Sequence, residues 1–132
     1  MKVLVDTSVW IDYFRDGDAA DMLEYLIDES LVVTNDLILA EMMPPLYHRK
    51  ENELISLLEC LECQHLNIDW KTIIQMQVRC ISEGINGIGI SDLLIAQNAI
   101  DASIPLFTLD KHFKGIAENS TLKLYEGGGS DE

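Results

Sequence analysis

Lys2-Val3-Leu4-Val5-Asp6-Thr7-Ser8-Val9-Trp10 opens the chain with a short apolar run that ends in one acid and two hydroxyls. From Ser8 onward the apolar residues follow a helical pattern. A short apolar run that passes directly into a helix is typical of a parallel strand buried on both faces. In open α/β sheets the active site lies at the carboxyl ends of such strands. We therefore expect the polar groups after Val5 to lie at a functional edge of a sheet.

Apolar runs and helical patterns alternate along the rest of the chain. The runs predict further strands at 31–34, 64–68, 105–109 and 122–125. Helical spacing predicts helices at about 8–15, 19–29, 37–43, 51–62, 70–82, 91–100 and 111–117. Strands separated by helices imply a parallel sheet with right-handed crossovers. The predicted fold class is α/β: a three-layer α/β/α sandwich with a central, mostly parallel sheet of about five strands, the last at an edge.

Length and composition predict one domain at 1–126. A chain of 132 residues with 48% apolar content is large enough for one sizeable core. The glycine-rich tail at 127–132 is typical of a flexible linker. No stretch has the length and hydrophobicity of a signal peptide or a membrane span, and three cysteines give no disulfide framework. We expect a cytoplasmic protein that does not contact a membrane.

The cysteines allow a zinc site to be considered. Cys60 and Cys63 form a C-x-x-C pair, with His65 and Cys80 nearby in sequence. Cys60 also falls in the apolar pattern of the helix at 51–62, and a core cysteine is the commoner explanation. Both interpretations stay open at this point.

The segment at 70–82 is an amphipathic helix that Asp69 is expected to cap. Its predicted inner face consists of Ile73, Ile74, Met76 or Gln77, Cys80 and Ile81.

A pair of prolines follows the predicted helix at 37–43. Each of Pro44 and Pro45 removes a backbone donor and disfavours helical geometry in the residue before it. We expect a kink or break just after Met43. Because Glu41 lies less than a turn earlier, its placement depends on how the chain passes these prolines.

The formal net charge of −14 disfavours a nucleic-acid partner, because phosphate backbones repel a strongly acidic protein. A basic patch, bound cations or a basic partner would have to offset this field. The candidate patches are His48-Arg49-Lys50, Lys71 with Arg79, and Lys111-His112 with Lys114. Short charge runs of this kind are more often a solvated face.

Four acids lie in apolar settings: Asp6, Glu41, Asp92 and Asp110. Each has a structural explanation of its own. Asp92 can favour a helix N-terminus beside a cap at Ser91, Asp6 and Asp110 can be turn residues, and Glu41 can face solvent. Thr7 and Ser8 are expected to cap the helix after the first strand. Ser8 could in addition hold a carboxylate or a metal-bound water.

Taken together, the four acids indicate a metal site. No lysine or arginine adjoins Asp6, Glu41 or Asp92 in sequence. Carboxylates that converge at one edge of a sheet repel one another unless a hard cation joins them, and without metal their pKa values should be raised. Oxygen ligands favour Mg²⁺ or Mn²⁺. Such a site suits phosphoryl chemistry by metal-activated water.

At these acids the sequence resembles the PIN domain family, and within it most closely the VapC-type toxins of bacterial toxin–antitoxin pairs. The resemblance runs from Met1 to about Tyr125. The order, spacing and flanking residues match in four stretches: Val5-Asp6-Thr7-Ser8, Leu39-Ala40-Glu41, Ile90-Ser91-Asp92-Leu93-Leu94-Ile95-Ala96 and Phe107-Thr108-Leu109-Asp110-Lys111-His112-Phe113.

The resemblance implies a Mg²⁺- or Mn²⁺-dependent endoribonuclease that cuts single-stranded or looped RNA. It implies that Asp6, Glu41, Asp92 and Asp110 form the acidic set, with Glu41 either a ligand or the group that orients water. Ser8 matches the family's supporting hydroxyl. It also implies a homodimer and a small antitoxin whose C-terminal segment blocks the acidic pocket.

Other functions remain to be weighed. A phosphatase or phosphotransferase of the haloacid dehalogenase type needs a second aspartate two residues after the first, and that position is Ser8. A response-regulator receiver needs paired acids where only Asp6 ends the first strand. A catalytically silent PIN-like binding module, in which the carboxylates hold a structural cation or the chain acts only through a partner, stays open.

Overall fold

A computed structural model describes residues 1–126, and the predicted tail at 127–132 lies outside the described residues. The strands are β1 Val3–Val5, β2 Val32–Thr34, β3 Glu62–Cys63 and β4 Leu106–Phe107. The helices are α1 Thr7–Phe14, α2 Ala20–Asp28, α3 Asp36–His48, α4 Asn52–Glu59, α5 Trp70–Ser82, α6 Ile90–Ala102 and α7 His112–Glu118. Within residues 1–126, no helix has the length and apolar character needed to cross a bilayer.

The four strands form a parallel sheet in the order β3-β2-β1-β4. β1 is central, with Leu4 in register with Val33 on one side and with Leu106 on the other. Its three residues are at most 1% exposed, as a continuous apolar run predicts for a strand covered on both faces. With seven helices flanking this sheet, the predicted α/β fold class is confirmed, although the sheet has four strands and not about five.

Two predicted strands differ from the structure. The third strand is Glu62–Cys63 and not 64–68. One further bond of the ladder joins the Gln64 amide to the Thr34 carbonyl at 2.7 Å, and the His65 carbonyl accepts from the Asn98 side chain. The strand predicted at 122–125 is reduced to a single bridge between Leu106 and Leu124, because β4 itself is only two residues long.

Helix α3 runs from Asp36 through both prolines to His48, so of the predicted kink or break after Met43 the break is wrong. Pro44 and Pro45 lie on the exposed side of the helix, where water can replace the two missing donors. On the opposite side Met42 and Leu46, one turn apart, are each 3% exposed. Their burial in the core holds the helix together across the prolines.

The three cysteines do not form a cluster of potential metal ligands. Cys60 is exposed at the end of α4, so the prediction of a core position is wrong for this residue, while Cys80 is buried. The Cys63 thiol donates to Asp36 at 3.6 Å, and all three thiols are free. Within the described part of the chain, no cluster of potential ligands contains a cysteine, so the structure offers no zinc site of this kind.

Helix α5 presents only part of its predicted inner face to the core. Its predicted cap is confirmed, because the Asp69 side chain accepts from the Thr72 amide. Ile73, Met76 and Cys80 are buried, but Ile74 and Ile81, predicted on the same inner face, are exposed.

Candidate active site

The first acid, Asp6, lies at the end of β1 and is 4% exposed. Its extended backbone aims the carboxylate at the start of α1, where Oδ1 accepts from the Ser8 amide at 3.0 Å and from the Ser8 hydroxyl at 2.5 Å. Asp6 itself is therefore the N-cap of α1, and the prediction that Thr7 and Ser8 provide the cap is wrong. The carboxylate that ends the strand also begins the helix.

The end of β4 is tied to the end of β1 by a network of hydroxyls. The Thr108 hydroxyl donates to Oδ2 of Asp6 at 2.7 Å and accepts from the Asp110 amide at 3.0 Å. The Ser8 hydroxyl accepts from the Leu109 amide at 2.9 Å. Thr108 was not predicted as a site residue. Its position in the stretch after the fourth strand, two residues before an acid, is the signal that could have identified it.

Burial raises the pKa of Asp6 above its usual value. The hydrogen bonds from Ser8 and Thr108 favour the carboxylate and act in the opposite direction, but they do not cancel the loss of hydration. The side chain is thus a carboxyl group that is held in one orientation and kept away from water.

A second group consists of Asp92, Asp110 and His112. Each offers one ligand atom, and these atoms lie within 4.8 Å of one another. Asp110 and His112 also contact directly: Oδ1 of Asp110 accepts from the His112 amide at 2.9 Å and lies 3.2 Å from its Nδ1. The sequence indicated His112 as part of a basic run and of the fourth family stretch, but not as a site residue, and the structure brings its imidazole into the acidic cluster.

Asp92 lies in the first turn of α6, where its carboxylate accepts from the Gly89 amide at 3.3 Å. The N-cap of this helix is Gly89. The sequence suggested a cap at Ser91, and that prediction is wrong. Burial raises the pKa of Asp92, the negative charges of Asp110 and Glu41 add to the rise, and the Gly89 amide and His112 oppose it. The raised pKa expected for clustered acids is thus found for Asp6 and Asp92.

Glu41 is exposed on α3, within electrostatic reach of Asp92. The Thr7 hydroxyl donates to its Oε1 at 2.9 Å, which connects α3 to the first residue of α1. Asp6 does not belong to the group of three whose ligand atoms approach within 4.8 Å. The structure therefore brings Asp92 and Asp110 together. Asp6 is buried and hydrogen-bonded to the Ser8 and Thr108 hydroxyls, and Glu41 is exposed at the edge of the site.

The donor set fits a divalent cation. Two carboxylates supply the oxygen ligands that Mg²⁺ and Mn²⁺ prefer, and the imidazole is a nitrogen ligand that Mn²⁺ accepts more readily than Mg²⁺ does. Burial raises the pKa of Asp92, with the charges of Asp110 and Glu41 adding to the rise, and a cation bound here would favour its carboxylate form.

The basic runs lie mostly elsewhere. Residues 48–50 are exposed around the end of α3, and Lys71 and Arg79 are exposed on α5. Of the three runs in residues 1–126, the one at 111–114 includes a side chain that contacts an acid of the site, namely His112.

These features define an α/β protein with a cluster of acidic side chains at the carboxyl edge of a parallel sheet. The PIN domain family model matches residues 3–119, and the chain therefore belongs to the PIN domain family. The family predicted from the four acidic stretches is confirmed. No curated protein matches in a sequence comparison.

Solved structures share the fold across nearly the whole chain. VapBC2 from Rickettsia felis, bound to a DNA fragment from its promoter, has a TM-score of 0.72 at 21% identity and covers 99% of this chain and 100% of that chain. FitAcB from Neisseria gonorrhoeae has a TM-score of 0.69 at 20% identity, with 94% and 96% covered. VapC20 from Mycobacterium tuberculosis, a sarcin–ricin loop cleaving toxin, has a TM-score of 0.60 at 16% identity, with 92% and 99% covered.

Proposed function

We propose that this protein is a Mg²⁺- or Mn²⁺-dependent endoribonuclease and the toxin of a toxin–antitoxin pair. The observation that carries this proposal is the gathering of Asp92, Asp110 and His112 within 4.8 Å at the sheet edge where the buried Asp6 ends β1. Membership of the PIN domain family gives the arrangement its chemical context.

The proposed roles follow from the contacts of each side chain. Asp92 and Asp110 hold the cation, with Asp6 and Glu41 completing the acidic set. A divalent cation bound there supplies positive charge that activates water and stabilises the phosphate in the transition state. Ser8 supports the site, because its hydroxyl bonds Asp6 and the Leu109 amide.

Glu41 is the acid that we propose to orient the attacking water. It is exposed, so water reaches it freely, and the Thr7 hydroxyl holds one of its oxygens at 2.9 Å. Its remaining oxygen can accept a hydrogen bond from a water molecule that faces the phosphate. This role suits a residue at the rim better than it suits the buried Asp6.

RNA is supported as the substrate by the similarity to VapC20, a toxin that cleaves the sarcin–ricin loop. The net charge of −14 opposes any polyanion, so binding must rely on local cations. Lys111 and Lys114 are exposed on either side of His112, and they are the cations that we propose to contact the phosphates beside the acidic cluster.

The first experiment is cleavage of a structured RNA pool by the purified chain with Mg²⁺, with Mn²⁺ or with EDTA. We expect cuts at defined sites that require the metal and disappear in Asp92→Asn. The matched control is Asp101→Asn, which changes an exposed acid at the other end of α6 and should cut normally.

Three outcomes contradict the proposal of a metal-dependent nuclease. Cleavage in EDTA, or cleavage by Asp92→Asn, would contradict the metal-dependent mechanism. Release of phosphate from small phosphoesters while RNA stays whole would indicate a phosphatase or phosphotransferase. Stoichiometric Mn²⁺ binding without any cleavage would indicate a catalytically silent binding module.

The proposed antitoxin partner has a candidate binding groove. A cavity of about 430 Å³ is lined by Tyr13, Phe14, Asp16, Ala20, Asp21, Glu24 and Leu54. Aromatic side chains beside three acids suit a segment with both apolar and basic residues. The similarity to the VapBC2 and FitAcB complexes supports such a partner.

The proposed binding of an antitoxin in this groove is tested with the protein purified from its source organism. We expect a small basic protein in the complex, and we expect the double variant Asp21→Lys with Glu24→Lys to lose it. Asp28→Lys with Glu29→Lys makes the same charge change outside the groove and should keep the partner. Equal binding by both double variants would contradict this assignment.

We also propose a cytoplasmic location and a homodimer. The three free thiols fit a reducing compartment.

A further inference from the structure

Two exposed apolar side chains lie beside the acidic cluster. Leu109 directly precedes Asp110 and is 50% exposed. Ile90, the first residue of α6, lies two positions before Asp92 and is 52% exposed. Among the exposed large apolar residues of 1–126, these are the two that lie within two positions of the clustered acids. Apolar surface therefore adjoins the cluster on both of the segments that supply its carboxylates.

The exposure of Leu109 follows from the hydrogen bonds that position Asp110. The Leu109 amide donates to the Ser8 hydroxyl at 2.9 Å, and the Asp110 amide donates to the Thr108 hydroxyl at 3.0 Å. These two bonds hold the backbone on both sides of the Leu109 side chain. The side chain is thus fixed at the surface by the same contacts that build the site.

Ile90 is held in a similar way at the start of α6. The Gln77 side chain donates to the Ile88 carbonyl at 2.8 Å, and the Gly89 amide donates to the Asp92 carboxylate at 3.3 Å. Single exposed apolar residues are ordinary on a protein surface. Two that are fixed beside a group of polar ligands supply the apolar part of a binding site, which commonly combines both kinds of surface.

The loop before α6 leaves room for a ligand beside the cluster. Gly87 has a φ of +84°, and a β-carbon at this position would lie 3.5 Å from Nε2 of His112. A β-carbon at Gly89 would lie 3.9 Å from the Asp92 carboxylate. Because neither residue has a side chain, the space next to these two groups stays open on the side of the loop.

We propose that Ile90 and Leu109 contact the two nucleobases that flank the scissile phosphate. This inference rests on the proposed endoribonuclease and names residues that select its substrate. A phosphate held by a cation at Asp92 and Asp110 carries one nucleoside on each side, and the face of the base is the apolar part of a nucleoside. Bases stacked in a duplex do not offer this face, so the two residues favour RNA in which both flanking bases are unstacked.

The charge of the protein favours bases as the occupants of this apolar surface. At a net charge of −14 the protein repels the phosphates of RNA, so phosphate contacts alone provide little affinity. Contact between an aliphatic side chain and a base does not depend on charge, and salt does not screen it. Aliphatic side chains accept the face of any base. Purines should be preferred, because their larger face buries more apolar area.

The first test is methyl NMR of the full chain with labelled isoleucine and leucine. The probe is adenylyl-adenosine with a methylphosphonate in place of the phosphodiester. This dinucleoside has two bases and no charge, so the acids do not repel it and no metal is needed. A base that stacks on a methyl group shifts its proton resonance upfield. We expect such shifts at Ile90 and Leu109 but not at Ile74, which is 63% exposed on α5.

The control probe is the same compound without its two adenines, and it should shift none of the three residues. An adenine-containing probe that leaves Ile90 or Leu109 unshifted would overturn the proposal. Equal shifts at Ile74, or equal shifts with the probe that lacks the bases, would also overturn it.

The second test is cleavage of the structured RNA pool at low RNA concentration. Ile90→Ser and Leu109→Ser should each cut roughly fivefold more slowly, because each loses the burial of about half an aliphatic side chain. Ile74→Ser is the matched control and should cut normally. The two losses should be the same at low and at high salt, whereas the loss caused by Lys111→Ala should shrink as salt rises. A loss in Ile90→Ser and Leu109→Ser that shrinks with salt in the same way would contradict apolar contact.

The two tests separate this inference from the nuclease. Upfield shifts at Ile90 and Leu109 in a chain that cuts no RNA would support the base contacts and contradict the nuclease. RNA cleavage without these shifts would contradict only the base contacts. Serine variants that cut RNA normally but no longer copurify with a partner protein would overturn the proposal and assign the two residues to a protein interface.

Discussion

Thr108 and Asp6 form the hydrogen bond that joins the ends of β4 and β1, with the Thr108 hydroxyl 2.7 Å from Oδ2 of Asp6. The same hydroxyl accepts from the Asp110 amide at 3.0 Å. One side chain therefore fixes the orientation of the buried acid and the backbone that carries a second acid. Groups that orient metal-binding carboxylates in this way commonly affect metal affinity and activity strongly.

Replacing Thr108 by valine should reduce RNA cleavage and Mn²⁺ affinity by about 10- to 100-fold. Valine has the shape of threonine but neither donates to Asp6 nor accepts from Asp110, so both acids lose their fixed orientation. Cleavage rates and calorimetric titration with Mn²⁺ provide the two measurements. Thr108→Ser keeps the hydroxyl and should stay close to wild type. Losses in Thr108→Ser but not in Thr108→Val would indicate that the methyl group matters and that the hydrogen bonds of the hydroxyl do not.

His112 is expected to act by holding Asp110. Its amide and its Nδ1 both approach Oδ1 of that carboxylate, which leaves Oδ2 free for a cation. An asparagine side chain presents its amide nitrogen near the position of Nδ1, whereas glutamine reaches the position of Nε2. We expect His112→Asn to keep most of the activity and His112→Gln to lose about tenfold.

The same pair of variants distinguishes a direct ligand from a positioning residue. Calorimetric titration with Mn²⁺ and with Mg²⁺ measures binding independently of catalysis. Rescue by glutamine and not by asparagine would mean that Nε2 is the functional atom. Loss of Mn²⁺ affinity with unchanged Mg²⁺ affinity in both variants would mean that the imidazole is itself a ligand.

The raised pKa of Asp92 predicts how stability depends on pH without metal. A carboxyl whose pKa is higher in the folded state than in the unfolded state binds more protons when folded, so stability falls as pH rises through the folded value. The penalty is complete above the folded value, and it is absent well below the unfolded value of 3.8. Asp92→Asn removes the charge, while its carbonyl oxygen can still accept from the Gly89 amide.

In EDTA at pH 7, Asp92→Asn should therefore melt above the wild type, by about 2 °C, and the difference should shrink towards pH 4. Adding Mg²⁺ or Mn²⁺ should stabilise the wild type more than the variant, because the cation binds the native carboxylates. Differential scanning calorimetry at the two pH values provides the measurement. A variant that melts below the wild type at pH 7 would mean that the carboxylate stabilises the metal-free fold.

The sequence predicted the features that depend on local patterns. The apolar run of β1, the capping Asp69 and the acids at strand ends can be predicted, because their signals lie within a few residues. The role of Thr108 could not be predicted, because it depends on a bond to Asp6 that forms only when distant segments meet at the sheet edge. The contact of His112 with Asp110 is local, but its approach to Asp92 also needs the folded chain. Ile74 and Ile81 were predicted to face the core but are exposed. Apolar spacing alone does not show which of two apolar faces of a helix packs against the core.

The continuity of α3 through its prolines is the case in which tertiary packing overrides local preference. Pro44 and Pro45 are exposed, and the buried Met42 and Leu46 hold the helix on the other side. Replacing both prolines by alanine restores two helical donors without touching the core. The free energy of unfolding should rise by about 1–3 kcal/mol in urea denaturation, since proline is the least favourable residue of a helix interior. Glu41, one turn before Pro45, should keep its bond to Thr7, so cleavage should be unchanged. A double variant that is less stable, or that loses cleavage while remaining folded, would mean that the prolines shape the helix to aim Glu41 at the site.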